Sequence, residues 1–307
     1  MAYRLRPDGD FFHDASALLS ALLHQAANLL DGHDTDNRHD AIHKARKKLK
    51  RARALLRLFK PAVSDLARAE NRRLSSIAAS LSAVRDATAL IETTDDLLRD
   101  SWNERQFEAL EELRPLLMAR RDRIAENEAD LATKMAQAAK GCREAATALD
   151  HIAFGNRPAK VAKMLKKAWR KTIRKALFAM EQCRQGSHGE SYHDLRKATQ
   201  TYWMHLALVA DLWPSVFALK RERAKTLTDL LGHENDLSVL TAVIDRETLP
   251  FGSSETLAHL LEIIIGKQQS LRRDALMLAE SLYADGEVLE AETIGTLWLK
   301  AVTERQA

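Results

Sequence analysis

Residues 42–60 read IHKARKKLKRARALLRLFK. On a helix turning about 100° per residue, Ala45, Leu49, Ala52, Leu56 and Phe59 fall on one stripe. His43, Arg46, Lys50, Arg53 and Arg57 fall on a second stripe, about 120° away on the same construction. The 3,4 spacing of the apolar residues fits a helix with one packing face and fits no strand. Lys44, Lys47, Lys48 and Arg51 widen the positive side, and no acid occurs from 41 to 64. Solvated helices usually mix signs so that i,i+4 pairs support the helix, whereas like charges at that spacing repel. The segment therefore predicts a rigid helix that holds positive charge at the edge of a packed face, a cost that a bound polyanion would relieve.

The rest of the 307 residues extends the helical reading. The chain is 46% apolar, has 11 Gly and 6 Pro, and is only 6% aromatic. Straight-chain residues dominate, and they lose little rotamer freedom in a helix. Apolar residues recur at three- and four-residue spacing, broken where Gly or Pro cluster. These breaks predict helices at about 10–30, 38–59, 62–98, 102–150, 158–185, 190–212, 215–247, 254–283 and 287–304, with a kink at Pro115.

Shifting the chain by 150 positions uncovers a repeat. IHKARK at 42–47 falls on YHDLRK at 192–197, and LSAVRDATAL at 81–90 falls on LGHENDLSVL at 231–240. RDR at 121–123 falls on LRR at 271–273. One offset serving three separated segments predicts two copies of a four-helix unit, 1–150 and 151–307, joined near 151–158. The basic stripe is not copied: Lys50, Arg53 and Arg57 correspond to Gln200, Trp203 and Ala207. Instead the helix at 158–185 carries Lys160, Lys163, Lys166, Lys167, Arg170, Lys171, Arg174 and Lys175. Each copy supplies one cationic helix, and both are expected to face a shared groove.

The histidines admit a metal reading. Asp40-x-x-His43 and Glu190-x-x-His193 are related by the repeat and resemble half of a di-iron carboxylate site. That site needs two more glutamates, which lack a symmetric candidate pair, and the surrounding cations would repel a metal ion. The acids are better placed as helix-start residues, and no metal or cofactor is expected. No GxSxG, Walker A, HExxH or Gly-rich dinucleotide loop occurs, so no enzyme is expected. Asp86 and Asp236, paired by the repeat, are expected in structural ion pairs. Cys142 and Cys183 fit no disulfide framework or zinc motif. The start has no signal-peptide h-region and no apolar run is long enough for a bilayer, so a cytoplasmic protein is expected.

The His-x-x-Arg-Lys helix starts at 43–47 and 193–197, the basic helix after the first, the segments at 81–86 and 231–236, and the duplicated layout together resemble the conserved histidine α-helical domain (CHAD) family. The resemblance covers nearly the whole chain as a single CHAD-type domain. It implies an all-α fold of two four-helix bundles related by a pseudo-two-fold axis, with a basic central groove or pore that binds inorganic polyphosphate. It also implies association with polyphosphate granules and, through them, with granule proteins. Some members are fused to a triphosphate tunnel enzyme domain, but that enzyme's Glu-x-Glu-x-Lys motif is missing here, so the stand-alone form is expected.

The residues expected to grip polyphosphate are His43, Arg46, Lys47, Lys50, Arg53 and Arg57 on the first basic helix, and Lys163, Lys167, Arg170 and Arg174 on the second. His193, Arg196 and Lys197 repeat the first motif, and Arg73, Arg223 and Arg273 add charge from neighbouring helices. The runner-up is a nucleic-acid-binding protein using the same surface, against which no groove-reading motif or stacking platform is found. The third reading is a metal-dependent phosphohydrolase built on the histidines.

Overall fold

The computed structural model describes residues 3–7, 10–32, 38–101, 103–127, 130–150, 157–186, 189–246 and 253–306. They form α1 (Phe11–Leu30), α2 (Arg38–Phe59), α3 (Ser64–Ser80), α4 (Ala83–Asp100), α5 (Glu104–Glu126) and α6 (Leu131–Asp150). The series continues with α7 (Pro158–Gly186), α8 (Gly189–Leu208), α9 (Pro214–Arg246), α10 (Ser254–Leu282) and α11 (Gly286–Gln306). A 3₁₀ turn at Ala210–Leu212 follows α8. The protein is all-α. Most of the expected junction at 151–158, and the expected breaks at 187–188 and 250–252, lie outside the described residues.

Side-chain caps open several helices by satisfying backbone N–H groups that have no partner within the helix. Asp10 accepts from the His13 amide at 2.8 Å, Asn103 from Arg105 at 3.0 Å, and Ser253 from Thr256 at 3.0 Å. Two expected long helices are each divided. The segment at 62–98 breaks at Leu81 and Ser82, where α3 and α4 meet at a 64° bend. The segment at 102–150 breaks after Glu126, and α5 runs through Pro115. Pro115 is exposed, so solvent can reach the carbonyl its missing N–H leaves free. The expected helix at 190–212 stops at Leu208 and tightens into the 3₁₀ turn.

The starts of α3 and α9, at Ser64 and Pro214, lie 150 residues apart, as do those of α5 and α10, at Glu104 and Ser254. Where α3 and α4 break, the aligned pair Leu231 and Gly232 sits inside the continuous α9. There the absent side chain matters: a Cβ on Gly232 would stand 3.4 Å from Arg196 Nη2. The bare backbone lets that guanidinium lie against α9.

Packing joins α1 to α2 and α6, and α3 closes against α2 and α6. On the other side α7 lies between α8 and α11, and α8 lies against α9. These helices share one apolar core, in which Leu23, Leu49 and Leu55 join Leu165, Trp169, Leu206 and Trp298. A smaller core gathers Leu90, Leu110 and Leu113 with Leu237, Leu260 and Ile264, from α4, α5, α9 and α10. Each core draws side chains from both sides of residue 150, and α2 contacts both α7 and α8. Among the described residues, no single helix is long and apolar enough to cross a membrane.

Candidate anion-binding site

Helix α2 buries the apolar stripe read from its sequence: Ala45, Leu49, Ala52 and Leu56 are within 1% of complete burial, and Phe59 is 4% exposed. Burial of that stripe fixes the rotation of α2 and carries the second stripe into the junction with α7 and α8. Arg53 Nε donates to Asn71 Oδ1 of α3 at 3.3 Å, and Arg57 Nη1 donates to Thr201 Oγ1 of α8 at 2.6 Å. Both acceptors are neutral. Burial pushes the pKa of Arg53 down, and that of Arg57 falls to about 10 through burial and then the charge of Arg53. Lys50 is lowered by burial first, then by Arg196, Arg46, Lys47 and Arg53. Among the described residues, no acid stands among the leading influences on these three.

The cluster continues past the end of α2. The pKa of Lys60 is lowered first by Lys171, then by loss of hydration and by Arg68, Lys175 and Arg57. Burial, Lys171 and Arg57 lower that of Lys175, against the pull of Asp194. Cations from α2, α3, α7 and α8 are thus close enough to perturb one another. Opposite-charge partners ordinarily favour the charged form, and here the neighbours are mostly of the same sign.

The two repeated motifs lie at the other end. Burial first, then Lys47, Arg85 and Lys50, lower the pKa of His43, and Asp40 opposes them. Burial first, then Lys197, lower that of His193, opposed by a hydrogen bond with Asn235. His43 and His193 sit in the second turns of helices that begin at Arg38 and Gly189, one turn later than the expected helix-start position. Asp40 pairs with Lys44 at 2.5 Å. Arg46 Nη1 is 3.7 Å from Asp86 Oδ1, and Asp236 feels the charges of both Arg196 and Arg85. Buried and without a hydrogen-bond partner are Arg46 Nη1, Arg196 Nε and His193 Nδ1. An unsatisfied buried donor costs about 1–3 kcal/mol, which an incoming acceptor would recover.

Several expected site residues are engaged elsewhere. Arg170 Nε donates to Glu287 of α11 at 3.2 Å, and Arg174 donates to the same carboxylate at 2.7 and 2.8 Å. Lys166 pairs with Glu292, and its stem lies where a Cβ on Gly295 would be. Arg73 sits 3.4 Å from Glu70 and 3.8 Å from Glu144. Lys197 bonds Asp194 at 3.0 Å, Arg223 bonds Ser281 at 3.3 Å, and Arg273 reaches Asp274 at 4.0 Å. Lys163 and Lys167 are exposed on α7.

The cluster also includes residues not expected there: Lys60, Arg68, Arg85, Lys171 and Lys175, with Asn71 and Thr201 as neutral acceptors. A helical wheel carries the signal for two of them. Lys171 and Lys175 lie about 80–120° around α7 from Lys163, on the edge toward α2. A cavity of about 220 Å³ between α4, α9 and α10 is separate: Leu97, Leu237, Leu271, Asp96, Asp100 and Lys267 line it, with none of these cluster cations. No group of three or more potential metal-ligating side chains gathers among the described residues.

These features define an all-helical protein whose histidines, arginines and lysines from separate helices form one cationic cluster. The CHAD domain family model matches residues 15–245, and the chain belongs to that family. The crystal structure of the CHAD domain from the plant Ricinus communis is similar at a TM-score of 0.61 and 20% identity, covering 92% of this chain and 94% of that one. At that identity the likeness shows the fold alone. No curated protein matches the chain in sequence.

Proposed function

We propose that this protein binds inorganic polyphosphate in a groove lined by α2, α7 and α8, without catalysing its turnover, and that this binding places it on cytoplasmic polyphosphate granules. The observation that carries the reading is the run Lys50, Arg53, Arg57: cations that lose hydration and perturb one another, with no acid of the described residues among the leading influences on them. Lys50 is exposed by area, yet burial lowers its pKa. A concave surface accounts for both, because protein atoms surround the amine while solvent still reaches it.

Polyphosphate is a flexible linear anion without bases. A row of guanidinium forks and ammonium groups suits it, and stacking aromatics are unnecessary. Affinity would come largely from released counterions and would fall steeply with salt, by analogy with nucleic acid. Lys50→Glu with Arg53→Glu is expected to weaken polyphosphate binding at least about tenfold and to flatten its salt dependence by about two phosphate contacts. Unchanged affinity in a double variant with a native circular-dichroism spectrum would remove the proposal.

A further inference from the structure

We infer that the cavity between α4, α9 and α10 binds a free α-amino acid with a large apolar side chain. Three helices build it on one pattern, a polar residue followed four positions later by leucine: Thr93 and Leu97 on α4, His233 and Leu237 on α9, Lys267 and Leu271 on α10. Residues four apart share a helix face, so each wall turns both members of its pair into the same space. The three leucines are buried and belong to the smaller core, where they make an apolar floor. Lys267 is half-buried and Asp100 is exposed, so their ion pair stands at the mouth. There Lys267 Nζ donates to Asp100 Oδ2 at 2.6 Å.

Size and charge together select the ligand. An apolar cavity of about 150 Å³ holds benzene. The volume here, about 220 Å³, takes a phenyl or branched aliphatic group with a short polar head at the mouth. That mouth carries both signs. Asp96 and Asp100 lie one turn apart at the C-terminal end of α4, where the helix dipole adds negative potential. Lys267 and His233 line the cavity from α10 and α9. Arg99 pairs with Asp96 and offsets its charge, which leaves Asp100 and Lys267 as the matched couple. A carboxylate has about four acceptor sites and an ammonium has three donors. The couple can therefore take up a second pair without separating. The ligand's ammonium would bond Asp100 and its carboxylate Lys267, closing a ring of four alternating charges. A ligand with one charge would set it beside a like charge and match only half of the couple. None of the cations in the α2 cluster takes part, so the inference does not depend on polyphosphate binding.

The test titrates the full chain with L-phenylalanine and L-leucine, with affinity read by calorimetry and ligand contacts by saturation-transfer NMR. Saturable one-to-one binding is expected, with the side-chain protons most strongly saturated. L-Alanine lacks the floor contact, and phenylacetate and phenethylamine each lack one charged bond. Each should bind at least about tenfold more weakly. Lys267→Gln and Asp100→Asn change only the mouth, and each should weaken binding by a similar factor while keeping the native circular-dichroism spectrum. The Lys50→Glu with Arg53→Glu variant should retain the affinity even where polyphosphate binding is lost. The inference is overturned if neither amino acid binds saturably, if phenylacetate or phenethylamine binds as well as L-phenylalanine, or if both mouth variants keep full affinity.

Discussion

Replacing Glu290 by alanine is expected to destabilise the protein by about 3–5 kcal/mol, because it leaves a partly buried ammonium without its buried counter-charge. Glu290 is 7% exposed and ties four helices together. From α11 its carboxylate accepts from Tyr202 Oη of α8 at 2.8 and 3.0 Å, from Trp169 Nε1 of α7 at 3.2 Å, and from Lys220 Nζ of α9. Lys220 also bonds Asp285 at 2.8 Å. Burial lowers the pKa of Lys220, but bonds to Asp285 and Glu290 outweigh it and keep the amine charged. Urea unfolding monitored by circular dichroism would measure the loss. Tyr202→Phe removes one donor and leaves the ion pair, so it should cost about 1–2 kcal/mol. Equal losses in the two variants would mean that the network is not organised around Glu290.

The second large effect belongs to His205. It is 1% exposed, and its Nε2 is 2.9 Å from the Ala54 carbonyl of α2. With Nε2–H as the donor, the buried Nδ1 is the unprotonated nitrogen, and it has no partner. Trp169 of α7 packs 5.9 Å from the ring, and Arg57 of α2 adds positive charge nearby. Burial, reinforced by Arg57 and opposed by the Ala54 bond, lowers the pKa from 6.5 to about 4.

Above pH 6.5 His205 is neutral in both folded and unfolded chains, so its full contribution to stability is present. As pH falls from 6.5 toward 4 only the unfolded chain takes the proton, and stability falls by about 3 kcal/mol across that window. His43 and His193 shift in the same direction, while Asp236 and Glu70, whose pKa values are raised, oppose them. The difference from His205→Gln, which retains a donor for Ala54 but does not titrate, isolates the single group. Denaturant midpoints at pH 7, 6, 5 and 4 should converge for the two proteins as pH falls. Parallel curves would contradict this assignment.

How legible these features are in sequence depends on how local their causes are. Helix α2 is read to the residue at 38–59, because one apolar stripe and Pro61 define it. The break at Leu81 and Ser82 carries neither Gly nor Pro, and its cause lies in the turn of α4 toward α5 and α9. The break after Glu126 had a local sign in the polar run Asn127, Glu128, Ala129, Asp130. The cations of α2 from Arg46 to Arg57 were identifiable because no acid sits within helical reach of them. Pairing of Arg170 and Arg174 with Glu287 was not, because that partner is 117 and 113 residues away in sequence, respectively. His205 and Glu290 look like ordinary helix residues until the helices that enclose them are in place.

The most direct test of polyphosphate binding is titration of the purified protein with long-chain polyphosphate at two salt concentrations, with duplex DNA and orthophosphate as competitors. The predicted result is tight binding that weakens steeply with salt and that neither competitor displaces at equal phosphate concentration. Weak binding, or displacement by DNA at that concentration, would contradict the account and reduce the cluster on α2, α7 and α8 to a general anion surface.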